Sequence, residues 1–166
     1  MEVRGQNCWK LKKKELSVNE LMDQAECIIA TGEPVEMPLT HRFTDGMYIR
    51  EIFMPAGTIL TSKIHKTNHP FVVSKGKCIV YDGNKIENIT APHTGITESN
   101  TRRLLYIEED TIWTTFHITD KTDVDEIEKE IIEERDNKML DKQLFDKFNK
   151  INRQNNTFMS KKEALK

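Results

Sequence analysis

The chain has 166 residues, enough for one domain with a sizeable core and too few to make two comfortable. Hydrophobic residues make up 37% and charged residues 31%, which describes a soluble, polar globular chain with part of its length in surface or tail. A formal net charge of -2 argues against a protein whose main task is gripping nucleic-acid phosphates, and nucleic acid is not an expected partner. The longest apolar runs are a few residues, against roughly 20 needed to cross a bilayer, so no membrane span is expected. Cys8, Cys27 and Cys78 stand far apart with no paired spacing and no signal peptide ahead of them. The expectation is therefore a cytoplasmic protein without a disulfide scaffold or zinc knuckle.

Met1 to Leu16 carries Trp9 and the run Lys12-Lys13-Lys14, read as a solvated lead-in rather than a phosphate-binding arm. Ser17-Val18-Asn19-Glu20 has the spacing of a capping box. Leu21, Met22, Ala25, Ile28 and Ile29 then share one helical face until Gly32 and Pro34, which predicts a helix over about 17–30. From Val35 to about Thr119, β-branched and aromatic residues come in short runs separated by Asp45-Gly46, Pro55-Ala56-Gly57, Lys75-Gly76 and Asp82-Gly83-Asn84. Strands are predicted at 47–54, 58–65, 71–74, 77–81, 85–89, 103–107 and 111–118, a series that suits a sandwich or barrel. Glu108-Glu109-Asp110 reads as an acidic turn between the last two. Trp113, Thr115 and His117 share one face of the last strand, and one of its two faces must be the interior.

After Asp120 the period turns helical again, with Val124, Ile127 and Ile131 behind the acidic first turn Asp123, Asp125 and Glu126. A second apolar set, Leu140, Leu144, Phe148 and Ile151, points to nearly the opposite side of a straight helix. One surface cannot bury both sets, so either the helix breaks near Glu134 to Lys138 or the distal stripe has a second partner. The residues from about Asn152 read as a frayed polar tail. The organisation expected is a lead-in and helix over 1–34, a β-barrel over 35–120, and a helical extension and tail over 121–166.

Gly57, Lys63, His65, His69 and Gly76 fall on the spacing Gly, five residues, His, one residue, His, three or four residues, Glu, six residues, Gly. That spacing resembles the first motif of the cupin superfamily of small β-barrels, with Lys63 where the first His stands and His69 where the Glu stands. Pro92, Glu98, Asn100, Arg103 and Ile107 keep the spacing of the second motif but none of its identities. The resemblance covers about residues 36–119, and the stretch from Met37-Pro38 through Trp113–His117 also looks like small cupin-like proteins of bacteriophages. It implies a mainly β, jelly-roll barrel with an N-terminal amphipathic helix and a C-terminal helical extension. It also implies pairing into a homodimer or higher oligomer, for which the misaligned C-terminal stripe independently asks, and, for a phage-encoded chain, residence in the host cytoplasm.

Lys63 and His65, two apart on a strand, point to one face. On a straight strand His65 and His69 would lie about 13 Å apart, too far for one metal. A turn at Lys66-Thr67-Asn68 before Pro70 brings them together, the arrangement the resemblance implies, with His117 as the third member. Two chemistries compete for these residues. In one, His65, His69 and His117 hold a divalent transition metal, zinc, iron, nickel or copper, which the nearby Lys63 and Arg103 oppose electrostatically. In the other, Lys63 and Arg103 hold an anionic small molecule, with His65 as general base and a tyrosine, Tyr48, Tyr81 or Tyr106, as acid, of which Tyr106 is the expected one. Trp113 is a candidate ligand-binding residue, although its place among β-branched residues at strand periodicity suits the core better than a stacking platform. His41 and His93, beside Pro38 and Pro92, are expected in solvent-exposed loops. Three functions are consistent with these residues: a small-molecule-binding cupin, with or without catalysis; a phage protein that sequesters a nucleotide-like metabolite; and a structural or host-interaction barrel acting through its helices.

Overall fold

The computed structural model describes residues 16–139 and the backbone of a short strand at 158–161. Cys8, Trp9, Lys12-Lys13-Lys14 and the stripe Leu140, Leu144, Phe148 and Ile151 lie outside the described residues. Helix α1 (Val18–Ile29) starts at the predicted capping box: Glu20 N–H donates to Ser17 Oγ at 3.3 Å and Ser17 N–H donates to Glu20 Oε2 at 2.8 Å. The strands are β1 (Leu39–Thr44), β2 (Met47–Met54), β3 (Thr58–Thr61), β4 (Ile64–His65), β5 (His69–Tyr81), β6 (Ile86–Thr90), β7 (His93–Thr97), β8 (Leu104–Ile118), β9 (Ile132–Glu133) and β10 (Phe158–Lys161). Helix α2 (Val124–Ile131) lies between β8 and β9.

The long antiparallel pair β5 and β8 is the spine. The first half of β5 pairs with β7 and its second half with β6, while β8 pairs with β3 at its start and β2 at its end. One half of the barrel thus runs β1-β2-β8-β5-β7 and the other β10-β3-β8-β5-β6. Register shifts between Val73 and Cys78 bend the spine from one half into the other. Gly76 sits in that bend at φ +92, where an added Cβ would come within 2.4 Å of the Asp110 carbonyl oxygen.

These bends explain where the sequence reading counted strands differently. The runs at 71–74 and 77–81 are two halves of β5, and those at 103–107 and 111–118 are two halves of β8. Glu108-Glu109-Asp110 is accordingly a bulged stretch inside β8 and not a turn. The run 58–65 divides into β3 and β4, and β1 and β7 were not foreseen, which moves His41 and His93 from loops into strands.

Between the halves lies the core: Ile52, Met54, Phe71, Val73 and Trp113 on one side, and Leu60, Cys78, Val80, Ile89, Leu105 and Ile107 on the other. Helix α1 packs Cys27, Ile29 and Ala30 against Ile59 and Leu104 outside β3 and β8. Its face also buries Asp23 and Glu26, which meet the guanidinium of Arg102. Helix α2 buries Ile127 and Ile131 against Tyr48. The helix ends at Ile131, a few residues before the predicted break, because Ile132-Glu133 turns into a strand beside β4. The tail expected to be frayed contributes the backbone of Phe158–Lys161 as a strand beside β3. Among the described residues, no helix is long and apolar enough to cross a membrane.

Candidate functional site

Strand alternation builds the site. On β2 the inward positions are Tyr48, Arg50, Ile52 and Met54, on β5 His69, Phe71 and Val73, and on β8 Trp113, Thr115 and His117. Toward the middle of the barrel these inward side chains are apolar core; toward one end they become polar. A cavity of about 100 Å³ occupies that end, walled by Tyr48, Arg50, Lys63, His65, His69 and Trp113 and closed by Glu128, Ile131 and Ile132 of α2 and β9. The turn predicted at Lys66-Thr67-Asn68 does bring His69 back beside His65. Their ring centroids are 4.2 Å apart, and His117 stands 4.5 Å from His69 and 5.3 Å from His65.

Hydrogen bonds set the tautomers. His69 Nδ1–H donates to the Thr67 carbonyl at 3.4 Å, leaving Nε2 free. The Thr115 hydroxyl donates to the Arg50 carbonyl, so its oxygen accepts from His117 Nε2–H at 3.1 Å and the unprotonated Nδ1 of His117 is left over. His117 Nδ1 and His65 Nδ1 are both buried without a partner. Burial, reinforced by the neighbouring histidines, pushes the pKa of His65 down to about 2 and that of His117 to about 3. Burial also lowers that of His69. All three are neutral at pH 7, the state in which an imidazole is a metal ligand.

The donor set fits a metal ion. Imidazole nitrogens bound at roughly 2.0–2.1 Å from one ion lie about 3–4 Å from each other. The three nitrogens offered here all lie within 4.8 Å of one another, a gap that modest ring rotation closes. Two buried ring nitrogens without a hydrogen-bond partner among the described residues are costly unless something satisfies them.

The surrounding charge is positive. Lys63 Nζ lies 3.5 Å from Glu128 Oε2, and burial lowers its pKa against the pull of that carboxylate. Arg50 has no carboxylate at ion-pair distance among the described residues, and burial likewise lowers its pKa. Arg103 donates to Thr97 Oγ1 at 3.2 Å and lies 5.6 Å from the centre of the Phe71 ring. Trp113 stacks on Phe71 at 4.4 Å, so it serves the core and the cavity wall at once.

Tyr106 takes the opposite parity on β8 from the inward Leu105 and Ile107, opposite Ile59 of β3, and does not line the cavity. The tyrosine in the cavity is Tyr48, whose hydroxyl shares a 2.7 Å hydrogen bond with His41 Nδ1 and whose pKa burial pushes up to about 12. His41 is half-buried on β1 by that contact, and His93 is half-buried against Phe71, so neither is the exposed loop residue expected. Arg50 was missed by motif spacing. Its signal was parity: an arginine in register with Ile52 and Met54 on an inward strand face.

No family model and no curated protein matches the sequence. Solved structures resemble the fold. Ectoine synthase from P. lautus has a TM-score of 0.48 at 10% identity, over 61% of this chain and 77% of that one. A cupin-2 domain protein from Shewanella frigidimarina has a TM-score of 0.44 at 7% identity, over 63% and 95%. Acetylacetone dioxygenase from Acinetobacter johnsonii has a TM-score of 0.42 at 14% identity, over 65% and 74%.

Proposed function

We propose that this chain is a cupin-like small-molecule-binding protein that holds a divalent transition metal on His65, His69 and His117 and a small organic anion beside it. The observation that carries the reading is the pair of buried, unpartnered Nδ1 atoms on His65 and His117, facing a third neutral histidine at the polar end of the barrel. A metal bound there would supply a Lewis acid with open positions for a ligand. The chain's own cations do the rest. Arg50 lines the cavity with no carboxylate at ion-pair distance among the described residues, and Arg103 and the Glu128-paired Lys63 flank it, so an anion entering the cavity meets an excess of positive charge. The apolar wall of Trp113, Ile52 and Leu105 excludes water and strengthens those contacts.

Elemental analysis of protein purified without a metal-affinity tag tests the centre, beside the double variant His65→Ala, His117→Ala. About one zinc, iron, nickel or copper per wild-type chain and none per variant chain is expected. No metal in either, even after incubation with excess Zn²⁺, would overturn the histidine centre. Phosphate titration of Arg50→Ala separates a pocket function from a barrel that works only through its helices: the pocket reading requires weaker binding.

A further inference from the structure

A second cavity of about 340 Å³ is lined in part by Glu87 of β6 and by His93, Thr94, Gly95 and Ile96 of β7. Its walls are polar, with Asp82, His93, Glu98, Thr101 and Arg103 around the edge of the Phe71 ring. The two cavities share Arg103, whose side chain lines both. Thr97 Oγ1 holds the guanidinium from the histidine side and the Phe71 ring supports it from below. No carboxylate of the described residues reaches ion-pair distance of it, although Glu87, Asp82 and Glu98 all act on it through space.

Most of the other charges here are already engaged. Asp82 accepts from the Asn84 and Lys85 amides, and Lys85 pairs with Glu87 at 3.7 Å. What stays available is one fixed cation at the partition, Arg103, and a ring of hydrogen-bonding groups beyond it: His93, Glu98 and the Thr101 hydroxyl. The wall is also shaped for close approach. A Cβ on Gly95 would come within 2.7 Å of the Phe71 ring, so the ring lies flush on the β7 backbone and leaves the volume in front of it open.

We infer that the second cavity is the outer subsite of the same pocket. It takes the polyhydroxylated tail of an organic anion whose charged group is bound by Arg103. This deepens the functional reading above and rests on it for the anion beside the histidines. An anion at Arg103 gives the guanidinium a directly paired charge, which no carboxylate of the described residues supplies, and hydroxyls on its tail meet acceptors and donors that a bare anion cannot reach. Glu98 is a carboxylate acceptor suited to hydroxyl donors and repels a second anionic group, which limits the ligand to one charged end.

Amide-detected NMR titration with paired probes tests the subsite: acetate against gluconate, and inorganic phosphate against glucose 6-phosphate. In each pair the extended anion is expected to bind at least tenfold tighter than the bare one and to shift the amides of Thr94, Gly95 and Thr101. Which pair binds tighter says whether the anionic group is a carboxylate or a phosphate. Thr101→Trp, which fills the outer cavity from a loop, should abolish that advantage while metal content stays at the wild-type value. Arg103→Ala should weaken both members of each pair, and Arg103→Lys should restore the bare anion. Equal affinities within both pairs, no binding by any probe, or an advantage that survives Thr101→Trp in a protein whose amide spectrum is otherwise native would overturn the outer subsite. If metal is still bound stoichiometrically in that case, the histidine centre stands and only the subsite is lost. Absence of metal with tenfold discrimination intact would be the reverse.

Discussion

Acidification should destabilise the metal-free protein through its histidine cluster. His65 and His117 have folded pKa values near 2 and 3, against an ordinary value of 6.5, because burial penalises their charged forms. The unfolded chain therefore binds more protons than the folded one below pH 6.5. Stability is full above that pH, falls as pH drops below it, and levels off only near the folded values. At about 1.36 kcal/mol per pH unit and group, each histidine removes about 2.7 kcal/mol between pH 7.5 and 4.5. The pair removes about 5 kcal/mol, comparable with the whole stability of a marginal domain. Urea unfolding of chelator-treated protein at half-unit steps from pH 7.5 to 4.5 measures this, with His65→Leu, His117→Leu as reference for the carboxylates. The wild type should lose about 2.7 kcal/mol per pH unit more than the variant below pH 6. Parallel loss in the two proteins would refute the reasoning, since it would mean the imidazoles are protonated in the folded state without penalty.

Arg102→Ala strips the guanidinium from two carboxylates that are only 5% and 3% exposed, Asp23 and Glu26. A loss of about 3 kcal/mol in urea unfolding is expected, toward the low end for a broken buried pair, because Arg135 still reaches Asp23 while Thr61 and Asn137 still reach Glu26. A loss below about 0.5 kcal/mol would class the contact with surface ion pairs. Thr115→Val removes the group that fixes the His117 tautomer, and competition with a chelating dye should show metal affinity down roughly 10–100-fold; unchanged affinity would mean the tautomer is set elsewhere. Ser17→Ala deletes the α1 capping box and should cost about 1 kcal/mol, with no effect refuting a role for the cap in holding the helix. Light scattering should give at least twice the chain mass if the distal C-terminal stripe is covered by a second copy, and a clean monomer would sink that expectation.

Local chemistry was legible from the residues alone. The capping box, the helix behind it and the shared face of Trp113, Thr115 and His117 depend on neighbours in sequence, and each is found in the structure, as is the return of His69 to His65 that the cupin resemblance implied. Arg50 and Tyr48 were readable in principle from the same two-residue period. The bends in β5 and β8 were less so, because a glycine and an acidic triplet mark a turn and a bulge equally well until a partner strand is in place. Tyr106, chosen among three tyrosines by residue type alone, shows that a one-residue difference in parity puts a chemically suitable side chain on the other side of the sheet.

Periods of 3.6 and 2 residues along the chain mark α1, the start of α2 and most of the barrel strands, but not β1, β7 or β10, and they do not tell that α1 turns Asp23 and Glu26 inward while Leu21 and Ile28 stay exposed. Long-range packing alone places α2 over the histidine end of the barrel, spends Arg102 inside a buried ion cluster while Arg50 finds no close carboxylate among the described residues, and sets Arg103 between two cavities. Those outcomes turn on contacts between residues tens of positions apart, where the desolvation of a charge is set by what happens to pack around it and no local pattern records the result.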